Sequence, residues 1–219
     1  MKKLIVLLAL LSTTAQAEGY FGIGLGQTKA DVDKTALENG LGAFEGVPFG
    51  TPLGAGERWS SDSKDSGTGL RLFVGYQVNP NFSIEGSYID LGEFSASASL
   101  SIPGIGTDTL AGTVKATGLD FGLIGFAPVT DQFSFLGRIG IFLWDVDTTL
   151  KLTNFVGSSA SINESASGNS LSYGFGMKYD IDKSVSVRGE FQRFTDVGDK
   201  NKTGQSDVDL LSVNLIFKF

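Results

Sequence analysis

The last ten residues of the chain, LLSVNLIFKF, constrain its fold more than any other segment. Successive side chains of a strand point to opposite faces, so one face of this segment is wholly apolar. That face consists of Leu211, Val213, Leu215, Phe217 and Phe219, and the other of Ser212, Asn214, Ile216 and Lys218. An apolar face that ends on an aromatic residue is typical of the closing strand of an outer-membrane barrel, whose outer surface meets lipid.

The first 17 residues have the three parts of a secretory signal. Lys2 and Lys3 form a basic start, residues 4–11 are apolar, and Thr14–Ala17 ends in a small-x-small cleavage pattern. The eight apolar residues are too few for a membrane-spanning helix, which needs about 20. We therefore predict a cleaved signal peptide over residues 1–17 and a mature domain over residues 18–219.

Composition excludes several functional classes. The chain has 24 acidic and 17 basic residues, a balance that disfavours binding to nucleic acid, whose phosphates require a basic surface. It has no histidine, so the histidine-activated serine of outer-membrane lipid-modifying enzymes is not available. We expect no enzymatic activity, no cofactor and no metal. With no cysteine, the exported fold is held without disulfides.

Apolar and polar residues alternate in seven further segments, which gives eight predicted strands with the closing one. They lie near residues 21–25, 70–78, 82–88, 119–123, 133–143, 171–179, 185–191 and 211–219. Long connections, at about 29–67, 93–113, 148–169 and 196–207, alternate with short turns at 79–81, 128–131 and 180–183. Such alternation places all long loops at one end, which we take as extracellular. The prediction is an all-β, eight-stranded, antiparallel up-and-down transmembrane barrel.

Three of the long connections have local features of their own. Residues 33–40 form either one or two helical turns ending at Gly40 or an irregular polar loop. Residues 95–101 and 114–117 are compatible with extensions of strands three and four beyond the membrane. Residues 157–168 are of low complexity and are predicted to be a solvated loop.

The polar faces of the predicted strands carry mainly glycine and serine, which fit the narrow lumen of an eight-stranded barrel. Strand parity also places six charges in the lumen: Glu85, Asp120, Arg138, Lys178, Arg188 and Glu190. Arg71 and Lys218 share that parity but are expected near strand ends, in contact with water. Buried charges require partners, so we predict a charge network containing a Glu85–Arg188 pair. It either fills the lumen and fixes strand register or forms part of an ion path.

Several segments resemble the transmembrane domain of the outer-membrane protein A family. They are Gly75–Asn81, Ile84–Tyr88 with Leu91-Gly92, Thr130-Asp131 with Arg138–Gly140 and Trp144, Gly176–Tyr179, and Val187–Gln192. In that family the positions matching Glu85 and Arg188 carry the same residue types and belong to the interior charge network. Two departures stand out. Lys178 replaces a glutamate of the best-known member, and apolar residues near Leu123 and Ile124 replace a lysine.

The resemblance implies a structural role in the outer membrane of a Gram-negative bacterium, with surface contacts through acidic loops. It implies contact with outer-membrane lipid and lipopolysaccharide, a monomeric state, and insertion by the barrel assembly machinery through Leu215, Phe217 and Phe219. We expect the barrel domain alone, without the peptidoglycan-binding domain of many members. A narrow channel for ions or small solutes, and an adhesin that binds through its loops, are the alternatives.

Overall fold

The computed structural model describes residues 18–52, 54 and 56–219, so the predicted signal peptide lies outside the described residues. Within them the chain forms nine strands and one helix. They are β1 (Glu18–Ala30), α1 (Thr35–Glu45), β2 (Arg58–Lys64), β3 (Ser66–Asn79), β4 (Phe82–Ile102), β5 (Gly106–Pro128), β6 (Phe133–Thr153), β7 (Ser159–Asp180), β8 (Val185–Asp199) and β9 (Gly204–Lys218).

The strands close into a ring. Strands β3 to β9 pair in order, and β1 pairs with both β3 and β9, always antiparallel. Strand β2 is separated from β3 only by Asp65 and pairs with the outer half of β4, so it extends the same wall. The architecture is an eight-stranded antiparallel barrel, which confirms the predicted fold class.

The two faces of each strand differ as the alternation predicts. In β6, Ile139 and Ile141 are more than half exposed, whereas Arg138 and Phe142, on either side of this pair, are buried inside the barrel. The outward apolar band ends at a level where polar side chains replace it. Asp90, Thr117 and Asp145 are cross-strand neighbours at this level. This belt marks the boundary between lipid and water, since apolar outer faces belong in the bilayer.

A tight ion pair continues this boundary on the opposite wall. Arg193 Nε and Nη2 each lie 2.6 Å from a carboxylate oxygen of Asp209. Both residues face outward, directly across the β8–β9 pair. Above the belt, the barrel wall stands in water.

Three of the connections predicted as long loops are shorter than expected. Strands β4 and β5 pair up to Ile102 and Gly106, β6 and β7 up to Thr153 and Ser159, and β8 and β9 up to Asp199 and Gly204. The low-complexity segment 157–168, predicted as a loop, belongs mostly to β7. Small polar residues are stable in a strand here because the neighbouring strand supplies partners for their backbone hydrogen bonds. The residue pattern of one strand gives no information about that neighbour.

The first connection contains the helix. It runs from Thr35 to Glu45 and ends at Gly46, whose φ of 74° is left-handed, so it is longer than the one or two turns considered from the sequence and does not stop at Gly40. Leu37 and Leu41 are buried against Ala98 and other apolar residues on the inner face of the outer wall. The helix thereby covers the inner surface of the extended hairpins.

Among the described residues, no helix combines the length and the apolar character needed to cross a membrane.

A bulge in β4 decides which residues face inward above the belt. The pairing with β5 shifts between Asp90 and Glu93, and Gly92 takes a φ of 81° while its N–H donates to Asp90 Oδ1 at 2.8 Å. A side chain at this position would be strained, because positive φ strongly favours glycine. The extra residue turns Phe94 into the barrel, where it is buried.

Candidate functional site inside the barrel

The centre of the lumen holds a charge network built around Glu85. Arg188 Nη1 lies 2.8 Å from Glu85 Oε2, and Arg138 Nη1 lies 2.7 Å from Glu85 Oε1. Arg71 Nη2 also donates to Glu85 Oε1. One carboxylate therefore faces three guanidinium groups, and all four side chains are almost entirely inaccessible to solvent. The predicted Glu85–Arg188 contact is present.

Two further carboxylates balance the three arginines. Glu190 lies 3.0 Å from Arg71 Nη1 and 3.0 Å from Arg188 Nε. Asp120 pairs with Arg138 and accepts a hydrogen bond of 2.5 Å from Ser172. The network, defined here as Arg71, Glu85, Asp120, Arg138, Arg188 and Glu190, contains three positive and three negative groups and is formally neutral. Neutrality makes burial of so many charges tolerable.

The structure differs from the expected placement at three residues, Arg71, Lys178 and Lys218. Arg71 was expected near a strand end in water, but it is 0% exposed and central. The strand continues upstream of Leu70 to Ser66, so Arg71 lies well inside it. Lys178 was expected in the network, but it lies towards the turn end, 3.4 Å from Asp180 and over the ring of Phe126. Two apolar residues, Phe126 and Leu136, fill the lumen at that level.

Lys218, also expected in contact with water, is part of the same turn-end group. Its Nζ lies 2.7 Å from Asp180 Oδ1, and its side chain is only 12% exposed. Asp180 thus serves two lysines at the short-turn mouth of the barrel, separate from the central network.

Above the network lies an aromatic layer that the alternation pattern did not reveal. We define it as Phe94, Phe142, Trp144 and Phe194, all nearly inaccessible and packed with other apolar residues in one cluster. The rings of Phe142 and Phe194 are 4.6 Å apart, and Trp144 Nε1 donates to Ser170 Oγ at 2.9 Å. The only signal of this layer in the sequence is the presence of large apolar residues at positions whose parity faces the lumen. Phe142 is an example, but because it lies between Ile141 and Leu143, it is equally consistent with a continuous apolar run.

The arrangement favours cohesion over reactivity. In the part of the chain that the structure describes, every charged group of the network contacts an opposite charge, and no cluster of three or more acidic residues is arranged to hold a metal ion. Tyr20 adds a neutral contact, with its hydroxyl 3.1 Å from Ser83 Oγ and 3.2 Å from Glu85 Oε2. The lumen is filled by ion pairs in the middle and by aromatic rings above them.

The three residues predicted as an assembly signal line the outer surface at the closure of the ring. Leu215 faces outward, the rings of Phe217 and Phe21 stack at 5.2 Å, and Phe219 is 79% exposed. The N–H of Phe219 donates to the carbonyl of Gly19 at 2.9 Å. Three outward-pointing apolar side chains therefore end the last strand next to the first.

Comparison with known proteins gives a consistent result. A family model described as OmpA-like transmembrane domain matches residues 14–219. Outer membrane protein A of Shigella flexneri is 31% identical over 153 residues, which is 69% of this chain and 40% of that protein. The protein of the same name from Salmonella typhi is 32% identical over the same shares. The chain thus spans about 40% of the length of these relatives.

A solved structure shares the fold. The crystal structure of Neisserial surface protein A is 12% identical, covers 94% of this chain and 100% of its own, and has a TM-score of 0.52. At this identity the similarity concerns the fold alone. The curated relatives bear the name of an outer-membrane protein and not that of an enzyme.

Proposed function

The chain belongs to the family of OmpA-like transmembrane domains, and we propose that it acts as a sealed structural barrel of the outer membrane. The membrane is that of a Gram-negative bacterium, as for its relatives. One observation supports the structural role above the others: two consecutive fillings, the charge network and the aromatic layer, occupy the lumen. A continuous water path for ions would have to displace both.

The same filling argues against a catalytic role. Side chains that are fully paired and inaccessible to solvent have no face to present to a substrate. We propose that the protein is not an enzyme and that its charges stabilise the barrel and fix strand register.

We further propose an orientation and a set of partners. Short turns face the periplasm in barrels of this type, so the extended hairpins and α1 face the exterior, among lipopolysaccharide head groups. We propose that the barrel assembly machinery recognises the outward-facing apolar side chains of Leu215, Phe217 and Phe219. A monomer is sufficient, since the ring closes within one chain.

Conductance in planar lipid bilayers tests the sealed barrel. Refolded protein should give no current steps beyond those of heat-denatured protein added at the same concentration. Reproducible unit steps from folded protein alone would show that the lumen conducts, and the structural proposal would then give way to a channel.

A second role, contact with other surfaces, is supported by the hairpin tips. Ile105, Phe155 and Val156 are each more than half exposed, and the β4–β5 and β6–β7 tips touch where Phe155 packs on Gly106. Exposed apolar side chains on a water-surrounded tip are typical of interaction sites. Bacteria producing the protein should bind host cells or matrix better than bacteria lacking it, and Phe155→Ser with Val156→Ser should remove the difference. Equal binding by all three strains would contradict this role.

A further inference from the structure

A cavity of about 440 Å³ opens at the hairpin end of the barrel, between α1 and the inner wall. Phe94, Val114, Val146 and Val208 line it from the wall, and Ala36 and Leu37 line it from the helix. Small-molecule sites in proteins have volumes of about 300–1,000 Å³ and mainly apolar walls. The cavity meets both criteria, and it is not part of the charge network.

The cavity has a floor. Phe94, Val146 and Val208 belong to the same buried cluster as Phe142 and Trp144. A molecule that enters from the hairpin end therefore meets the aromatic layer and can leave only by the way it entered. The geometry is that of a binding pocket and not of a passage.

The charges around the cavity cancel. Four charged residues line it, namely the acids Asp31 and Asp33 and the bases Lys200 and Lys202. Lys200 and Lys202 are exposed and form no ion pair within the described residues. Two acids and two bases create no net field that would select an anion or a cation.

Two hydroxyl groups of the cavity wall are already engaged within the protein. Thr148 Oγ1 donates to the carbonyl of Thr203 at 3.3 Å, and Ser206 Oγ donates to the carbonyl of Asp31 at 3.0 Å. A ligand is therefore not required to supply hydrogen bonds, and its binding is driven by removal of apolar surface from water.

We propose that this cavity binds a small uncharged apolar molecule, with α1 forming one wall of the site. The volume of the cavity corresponds to roughly 15 water molecules at about 30 Å³ each, which is enough for a hydrocarbon of about 10 non-hydrogen atoms. The site lies on the hairpin side of the filled lumen, so it is compatible with a barrel that does not conduct.

Methyl NMR of the protein in lipid nanodiscs, titrated with limonene, tests the proposal. The methyl signals of Val114, Val146 and Val208 should shift in a saturable manner. Val74 and Val213, which face lipid, report simple partition of the probe into the bilayer and should shift without saturation. Equal, non-saturable shifts at both sets, or no shift at the cavity methyls, would overturn the proposal.

Two substitutions on one helix separate the cavity from its surroundings. Ala36→Phe places a ring in the cavity, and apparent affinity should fall by at least about tenfold because most of the contact surface is taken. Ala43→Phe makes the same change on α1 outside the cavity and should leave the titration unchanged. Saturable shifts that persist in Ala36→Phe would contradict the site.

A probe of similar size but opposite character tests the ligand class. Decanoate carries a charge, so it should bind the cavity methyl set more weakly than limonene. Stronger binding of decanoate would show that Lys200 and Lys202 select an anion, and the uncharged class would be wrong.

Discussion

Arg71 and Glu190 are 119 positions apart in the chain, yet Arg71 Nη1 donates to Glu190 Oε1 at 3.0 Å in the middle of the lumen. The contact joins β3 to β8, which are not neighbours in the ring. Backbone ladders tie each strand only to the next, so a contact across the lumen adds a constraint that the ladders do not supply. The charge network therefore acts as a cross-brace of the barrel.

Glu85 is the central member of this brace, and its neutralisation should be costly. In Glu85→Gln, Arg71, Arg138 and Arg188 lose their shared carboxylate and repel one another. Removal of one partner from a buried ion pair costs about 3–5 kcal/mol. Urea unfolding in detergent micelles, followed by the heat-dependent shift in gel mobility, should show a loss of this order. Glu164→Gln, which changes an exposed carboxylate on β7, is the control and should leave the midpoint unchanged. Equal midpoints for both variants would refute the brace.

Much of this architecture could be predicted from the sequence. Period-2 alternation predicts the eight strands of the barrel, because lipid outside favours apolar side chains whereas the narrow lumen favours small or paired polar ones on alternate residues. Parity also placed Glu85, Asp120, Arg138, Arg188 and Glu190 on the lumen side, and the structure brings all five together. Local patterning is sufficient where each position meets one uniform environment.

The remaining features depend on contacts that one strand does not reveal. Arg71 was placed too near a strand end because the glycine-rich start of β3 has little alternation, although pairing with β1 holds it in the sheet. Phe94 follows a bulge, which shifts parity by one. Phe194 keeps the lumen parity of β8 and lies just before the register shift between Phe194 and Val197. Lys178 has the correct parity but the wrong height, since parity reports the face of a strand and not the level along the barrel axis.

Gly75 should tolerate no side chain, whereas Gly189 should. A β-carbon on Gly75 would overlap the ring of Tyr20, whose hydroxyl contacts Glu85. On Gly189, which faces lipid, the nearest atom would be Met177 Cγ at 3.9 Å. Gly75→Ala should therefore cost about 1–3 kcal/mol through overpacking, and Gly189→Ala much less. Chemical unfolding of both variants checks the difference, and similar losses would show that Tyr20 moves aside freely.

The docking of α1 should weaken as pH rises. Burial beside the Asp108 carboxyl raises the pKa of Glu45 at the end of the helix from its usual 4.5 to about 7. The folded state thus holds a proton that the unfolded state has released, so this contribution to stability is present below pH 4.5 and lost as pH rises towards 7. Hydrogen-exchange protection of the α1 amides, corrected for the intrinsic pH dependence, should fall over that range. In Glu45→Gln the protection should stay level, and a persisting decline would assign the effect to another group.

The outward position of Val213 offers a direct test of which barrel face meets lipid. Val213 is 65% exposed and lies in the middle of the outward apolar run of β9. An arginine near the bilayer midplane costs about 2–4 kcal/mol, so Val213→Arg should lower the free energy of unfolding from lipid vesicles by this amount. Ser167→Arg provides the matched control, because Ser167 is exposed at the polar belt and lies opposite Asp145. It should change stability by no more than about 0.5 kcal/mol, as surface substitutions commonly do. If Val213→Arg were as well tolerated as Ser167→Arg, the outer face at Val213 would not be immersed in hydrocarbon, and the boundary drawn at Asp145 and Asp209 would be misplaced.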